Sequence, residues 1–74
     1  MHQYLIVTPR GYRIHSTEDR YGHHQRVDIE GHQFESQHYY KGDGPYGILI
    51  RFNDPVSQEI IRDAIHRSGI KPLP

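Results

Sequence analysis

The sequence predicts an α+β fold: a small, twisted, mostly antiparallel sheet of four to five strands with one C-terminal helix packed on one face. Up to Phe52, short runs alternate apolar and polar residues, which is the period of half-buried strands. Gly and Pro separate these runs, as expected of turns. Beyond Phe52 the apolar residues are instead spaced three and four apart, as on one face of a helix.

Chain length indicates a single sheet-plus-helix domain over residues 1–70, followed by an extended tail over residues 71–74. A 74-residue chain buries only about 60% of the surface that its unfolded form exposes. The chain has no cysteine, which excludes disulfides and permits a cytoplasmic location. No apolar run approaches the roughly twenty residues of a membrane span, and no signal peptide is visible. We therefore expect a cytoplasmic protein that has no contact with a membrane.

Two hairpins are predicted in the first forty residues. The apolar run 3–8 is typical of a buried strand, residues 9–11 form a turn, and the return strand places Tyr12 and Ile14 on the core face. A polar loop follows over residues 16–24. Strands over residues 25–30 and 33–40 meet at a turn beside Gly31, so Val27, Ile29 and Phe34 share one face.

The last strand and the helix complete the fold. After the glycine-rich loop 41–45, residues 46–52 alternate, and Leu49 makes the second face of this strand partly apolar, which predicts a central position. Asp54 is the expected N-cap, Pro55 the first helical residue and Gly69 the residue past the end. The predicted apolar stripe consists of Val56, Ile60, Ile61, Ala64 and Ile65. Since one helix cannot cover both faces of the sheet, the other face must be polar or a binding surface.

The seven histidines do not have the spacing of a metal site. Two ligands converge when they lie two apart on a strand or three to four apart on a helix. No two of them are so spaced; they are His2, His15, His23, His24, His32, His38 and His66. Because adjacent residues of an extended chain point to opposite sides, His23 and His24 should diverge. We expect exposed imidazoles, no metal and no cofactor. The alternative is a zinc site assembled from His15, His24 and His38 with Asp28 or Glu30.

The sequence predicts a protein that is not an enzyme. No serine stands in a Gly-x-Ser-x-Gly context and no cysteine nucleophile exists. His38, Tyr39, Tyr40 and Glu35 could supply acid–base groups, so a metal-independent nuclease is the enzyme alternative. However, nine basic and nine acidic residues cancel, and a nucleic-acid binder usually needs a basic excess.

Tyrosine is the unusual feature of the composition, with six residues and no Trp. Tyr combined with Arg, His and glycine-rich loops is typical of protein–protein contacts. The predicted partner-binding residues are Tyr21, His23, His24, Arg26, Tyr39, Tyr40 and Lys41.

We expect a regulatory or inhibitory protein that docks on a larger protein through one interface of about 600–800 Å² per partner. By analogy of size, a phage-type modulator of a host enzyme such as the transcription apparatus is built in this way. The chain itself should be a monomer or a weak homodimer. The alternative is a nucleic-acid-binding module in which five basic residues gather on one face: Arg10, Arg13, Arg20, Arg26 and Lys41.

Overall fold

The computed structural model describes all 74 residues and contains one sheet and one helix. The elements are β1 (His2–Thr8), β2 (Gly11–Thr17), β3 (Gln25–Ile29), β4 (His32–Tyr39), β5 (Tyr46–Arg51) and α1 (Gln58–Ser68). The five strands lie in the order β2-β1-β5-β4-β3. Strands β1 and β5 are parallel, and the other three pairings are antiparallel. The predicted fold class is confirmed.

Both predicted hairpins form. Thr8 pairs with Gly11 around the two-residue turn that joins β1 to β2. Glu30 and Gly31 join β3 to β4 with φ of 53° and 80°, and positive φ at both central residues is the mark of a type I′ turn. This turn keeps Val27 opposite Phe34, so the predicted shared face is confirmed.

Strand β5 is central, as predicted, because both of its faces are apolar. Ile48 and Leu49 are adjacent and therefore point to opposite faces, yet both are fully buried. The parallel pairing with β1 joins the two most apolar strands of the chain. This pairing closes the two hairpin units into one sheet.

The helix begins later than predicted and ends where predicted. Ser57 is the N-cap, and its Oγ accepts a hydrogen bond from the Ile60 backbone N–H at 3.3 Å. The predictions of Asp54 as N-cap and Pro55 as first helical residue are wrong, because both residues lie before the helix. The Asp54 carboxylate pairs with Arg10 at 3.2 Å instead. At the other end, Gly69 adopts the left-handed conformation with φ of 66°. With eleven residues, α1 is far too short to cross a bilayer, and the structure has no other helix.

Each face of the sheet carries its own apolar core. The helix-face core consists of Leu5, Val7, Tyr46, Ile48, Ile50, Ile61, Ala64, Ile65 and Ile70. The second-face core consists of Tyr4, Ile6, Val27, Ile29, Phe34, Leu49 and Leu73. The expectation of a polar or open second face is therefore wrong for its centre. The loop after β2 and the C-terminal tail lie across this face.

The C-terminal tail is extended but packed. Leu73 is only 5% exposed, and its backbone N–H donates to the Pro45 carbonyl at 2.8 Å. Arg20 Nη1 donates to the carbonyl oxygen of Pro74 at 2.6 Å. Residues 71–74 therefore belong to the packed structure, although two prolines made them resemble a solvent-exposed end.

Candidate functional site

The loop between β2 and β3 is held against β1 and β4 by hydrogen bonds of its backbone groups. The Tyr21 backbone N–H donates to the Tyr4 hydroxyl at 2.8 Å, and the two rings pack with centroids 4.9 Å apart. The Tyr21 carbonyl lies 3.1 Å from Nε2 of His38. Further along, the His24 backbone N–H donates to the Ser36 carbonyl at 2.6 Å. The loop is thus fixed at a defined position beside β4.

Three imidazoles and one carboxylate are linked by successive contacts at the end of this loop, and we call His23, His24, His38 and Glu35 the histidine cluster. His24 has a left-handed φ of 63°, which breaks the extended alternation and brings its ring within 3.8 Å of the His23 ring, centroid to centroid. The His23 and His38 rings are 5.7 Å apart. The expectation that His23 and His24 diverge is therefore wrong.

Adjacent rings of the histidine cluster make different polar contacts. The His38 backbone N–H donates to Nδ1 of His23 at 3.0 Å, so this nitrogen acts as an acceptor. His24 Nδ1 instead lies 3.6 Å from a carboxylate oxygen of Glu35. His23 therefore contacts the β4 backbone, whereas His24 contacts a β4 side chain.

Hydrogen bonding holds the pKa of Glu35 below its ordinary value. The main cause is Gln37, whose Nε2 donates to Oε1 of Glu35 at 2.8 Å, and the nearby His24 lowers the pKa further. A depressed carboxyl pKa stabilises the fold above the unfolded value of 4.5, and this contribution is lost as the pH falls through the folded pKa.

We expect the Gln37→Met variant to raise the pKa of Glu35, because the largest stabilising hydrogen bond to the carboxylate is lost. The His24→Gln variant should raise it by a smaller amount, since its contribution is secondary. Titration of the Glu35 side-chain carboxyl by NMR measures both shifts. A larger effect of the His24 variant would contradict this assignment.

The structure does not assemble the residues of the alternative metal site. No group of three His, Asp or Glu side chains has a geometry that could hold a metal ion. His15 lies on β2 and His38 on β4, with β1 and β5 between them, so three strand spacings, about 14 Å, separate the two backbones. The proposed acid–base residues are also divided. Glu35 and His38 are three apart on β4 and lie on opposite faces.

The seven predicted contact residues fall into three groups. Tyr21, His23 and His24 belong to the loop just described. The Arg26 guanidinium lies over the ring of Phe52, 4.5 Å from its centroid. Tyr39 is half-buried against the helix-face core, whereas Tyr40 is 72% exposed and Lys41 faces the polar side of α1. The exposed members are spread along the margin formed by the β3–β4 unit.

The five basic residues do not gather on one face. The predicted arrangement of a basic surface for nucleic-acid binding is therefore wrong. Arg13 pairs with Ile6 on β1 and faces the second side of the sheet. Arg26 pairs with Glu35 on the helix side, at the opposite edge. Arg10 is neutralised by Asp54 at 3.2 Å, and Arg20 binds the chain terminus.

A groove that sequence reasoning missed runs between β2 and α1, and we call it the β2–α1 groove. It encloses about 270 Å³, and its lining includes Arg10, Tyr12, Ile60, Asp63, Ala64 and Arg67. Tyr12 and Ile60 are 43% and 40% exposed, and Ile14, on the same side of β2, is 42% exposed. The outer edge of β2 pairs with no other strand. The sequence did contain a sign of this groove. The predicted apolar stripe of α1 includes Ile60, which the sheet does not cover completely.

No protein-family model matches the chain, and neither a curated protein nor a solved structure matches it. The features of the molecule that could serve a function are the β2–α1 groove, the open edge of β2 and the histidine cluster. Of these, the groove alone combines exposed apolar side chains with a concave shape.

Proposed function

We propose that this protein is a non-enzymatic binding module that docks on a larger protein and regulates or inhibits it. The observation that carries the proposal is the β2–α1 groove, where Tyr12 and Ile60 remain two-fifths exposed beside an unpaired strand edge. Ile14 is equally exposed on the same face of β2. Exposed apolar side chains grouped in a concave site are typical of protein contacts. A cysteine-free chain suits the reducing cytoplasm, which is where we place this activity.

The groove offers enough apolar surface for a specific contact. Full burial of a large aliphatic side chain contributes about 1.5–3 kcal/mol. Covering the remaining exposed part of Tyr12, Ile14 and Ile60 should therefore contribute roughly 1 kcal/mol each. Arg10 and Arg67 at the rim are paired with Asp54 and Asp63, so a partner meets ion pairs rather than single charges at the edge of the groove.

The predicted contact residues form a second surface in the proposal. Tyr40 and Lys41, with the exposed rings of His23 and His24, lie along the β3–β4 margin. Strand β3, which carries Arg26, lies at the opposite edge of the sheet from β2, whereas Lys41 faces Asp63 of α1. Variants at Arg26 and Lys41 leave the apolar side chains of the groove unchanged, so the two surfaces can be tested separately.

The test compares capture of partner proteins by immobilised wild type and two double variants. Ile14→Glu with Ile60→Glu places charge in the groove and on the adjoining helix face of β2, and Arg26→Glu with Lys41→Glu reverses charge at the margin. Partners identified by mass spectrometry from the native cell extract are then purified and titrated. We expect the groove variant to lower partner affinity by about tenfold or more, with a melting temperature within about 2 °C of wild type.

The Asn53→Glu variant, at an exposed residue outside both surfaces, is the matched control for the groove double variant. Loss of affinity in the margin variant alone would move the contact to the predicted residues. Equal partner affinity in all variants would contradict docking through either surface. Cleavage of labelled RNA by the purified chain would contradict the non-enzymatic assignment.

A further inference from the structure

Strand β2 is an edge strand without the usual protection. It has seven residues, and its outer side meets no other strand. Natural edges are blunted by proline, bulges, several charges or a covering segment. The run Gly11–Thr17 contains no proline and a single formal charge, Arg13, and its register with β1 is continuous from Thr17 to Gly11 without a bulge. The backbone groups along its outer side are therefore open to another strand.

The β2–α1 groove lies next to this edge, on the helix face of β2. A strand added to β2 lies about 4.8 Å away, and its alternate side chains stand beside those of β2. On the helix face these neighbours are Tyr12 and Ile14, with Ile60 of α1 across the groove. Every second residue of an added strand would thus enter an apolar groove.

The other face of β2 is polar, in contrast to the helix face. There the side chains are Arg13 and His15, which pair with Ile6 and Tyr4 of β1. Arg13 is exposed and takes part in none of the three ion pairs of the molecule. Opposite charges directly across two strands are stabilising, so acidic side chains fit these positions.

We propose that β2 binds, by strand addition, an extended segment of the partner in which apolar residues alternate with acidic ones. This inference rests on the proposed function and names the partner segment for the groove. Main-chain hydrogen bonds supply affinity in this mode, and the alternate side chains supply specificity.

The charge pattern favours such a segment over a second copy of this chain. If two β2 strands paired antiparallel about Ile14, Arg13 of each would lie opposite His15 of the other. Strand β2 has no acidic residue, so no register of such a dimer gives Arg13 a carboxylate from β2 itself.

The test uses synthetic peptides of about nine residues, the length of a long strand. One alternates Val with Glu and the other alternates Val with Lys. Each is labelled with fluorescein and titrated with the full chain by fluorescence anisotropy. We expect the Glu peptide to bind about tenfold more tightly than the Lys peptide, and the Arg13→Glu variant to reverse this order. Unchanged preference in the variant would overturn the assignment of Arg13.

Methylated peptides separate strand addition from other modes of binding in the groove. In a strand, alternate amides point toward the neighbouring strand, so N-methylation of the Val amides and of the Glu amides must have unequal effects. We expect one series to lose binding by about tenfold while the other retains it. Equal loss or equal retention overturns strand addition.

Two further outcomes are informative. If the partner's affinity depends on Ile14 and Ile60 while no peptide binds, strand addition fails and the proposed function survives. If sedimentation shows a dimer that Ile14→Glu dissociates, the occupant is a second copy and the inference is overturned. Ile14 is 42% exposed, so its variant should fold, and the melting temperature checks this. Asn53→Glu, a substitution at an exposed residue outside the groove and outside the predicted contact residues, is the control.

Discussion

The Gly47→Ala variant is expected to lose about 2–3 kcal/mol of unfolding free energy, because overpacking a tight core costs about this much. A Cβ atom at Gly47 would lie 2.5 Å from Cδ1 and 2.6 Å from Cε1 of Tyr4. It would also approach Cδ1 of Leu73 at 3.3 Å. Domains of this size have only about 4–11 kcal/mol of stability, so the loss is a large fraction.

Movement of the Tyr4 side chain to accommodate the added Cβ atom would be energetically costly. Its side chain is fully buried, its ring packs on Tyr21 at 4.9 Å, and its hydroxyl accepts the Tyr21 backbone N–H at 2.8 Å. Moving the ring therefore loosens the loop that carries His23 and His24. We expect faster amide exchange at Tyr21 and His24 in the variant.

Urea denaturation of wild type and variant measures this prediction. Gly22→Ala is the matched control, because the nearest atom to its added Cβ is the flexible Gln25 Oε1 at an ordinary 3.5 Å. Adding Tyr4→Leu to Gly47→Ala should give a loss smaller than the sum of the single losses, since the smaller side chain relieves the clash. Equal stability of the two glycine variants would show that the β1–β5 contact adapts.

The local sequence pattern was sufficient to predict the strands and the helix of this fold. The alternation that places Val27 and Phe34 on one face depends only on strand period, and the glycine at position 69 ends the helix through its own backbone preference. The helix start was harder, because Asp54 and Ser57 are both good N-cap residues three apart. In the structure Ser57 caps the helix, and Asp54 pairs with Arg10, a residue distant in the chain.

The local sequence pattern did not predict which strands are neighbours in the sheet. Nothing local states that β1 pairs with β5 in parallel, and this pairing leaves β2 at the edge with Tyr12 and Ile14 half-covered. The groove therefore follows from strand order. The contact between His23 and His24 depends on the left-handed backbone conformation of His24. An extended chain was expected at these residues, and this contact was therefore not predicted.

The C-terminal tail shows most clearly how tertiary structure overrides composition. Leu73 stands between two prolines, yet its side chain joins the second-face core and is 5% exposed. Gly47 leaves the space that Tyr4 and Leu73 occupy together. The lone helix leaves this face uncovered, and residues 71–74 with the Tyr21 loop complete what the helix cannot reach.

The Leu73→Ala variant should therefore lose about 2–4 kcal/mol, in the range of Leu→Ala changes in protein cores. Its backbone bond to the Pro45 carbonyl does not involve the side chain, so the loss reports apolar packing on Tyr4 and Leu49. Exposure of these residues should also raise binding of an apolar fluorescent dye. The control is Lys71→Ala, at an exposed residue of the same tail, which should change stability by less than about 0.5 kcal/mol. If both variants unfold at the same urea concentration, the tail is not part of the core, and the second face depends on the Tyr21 loop alone.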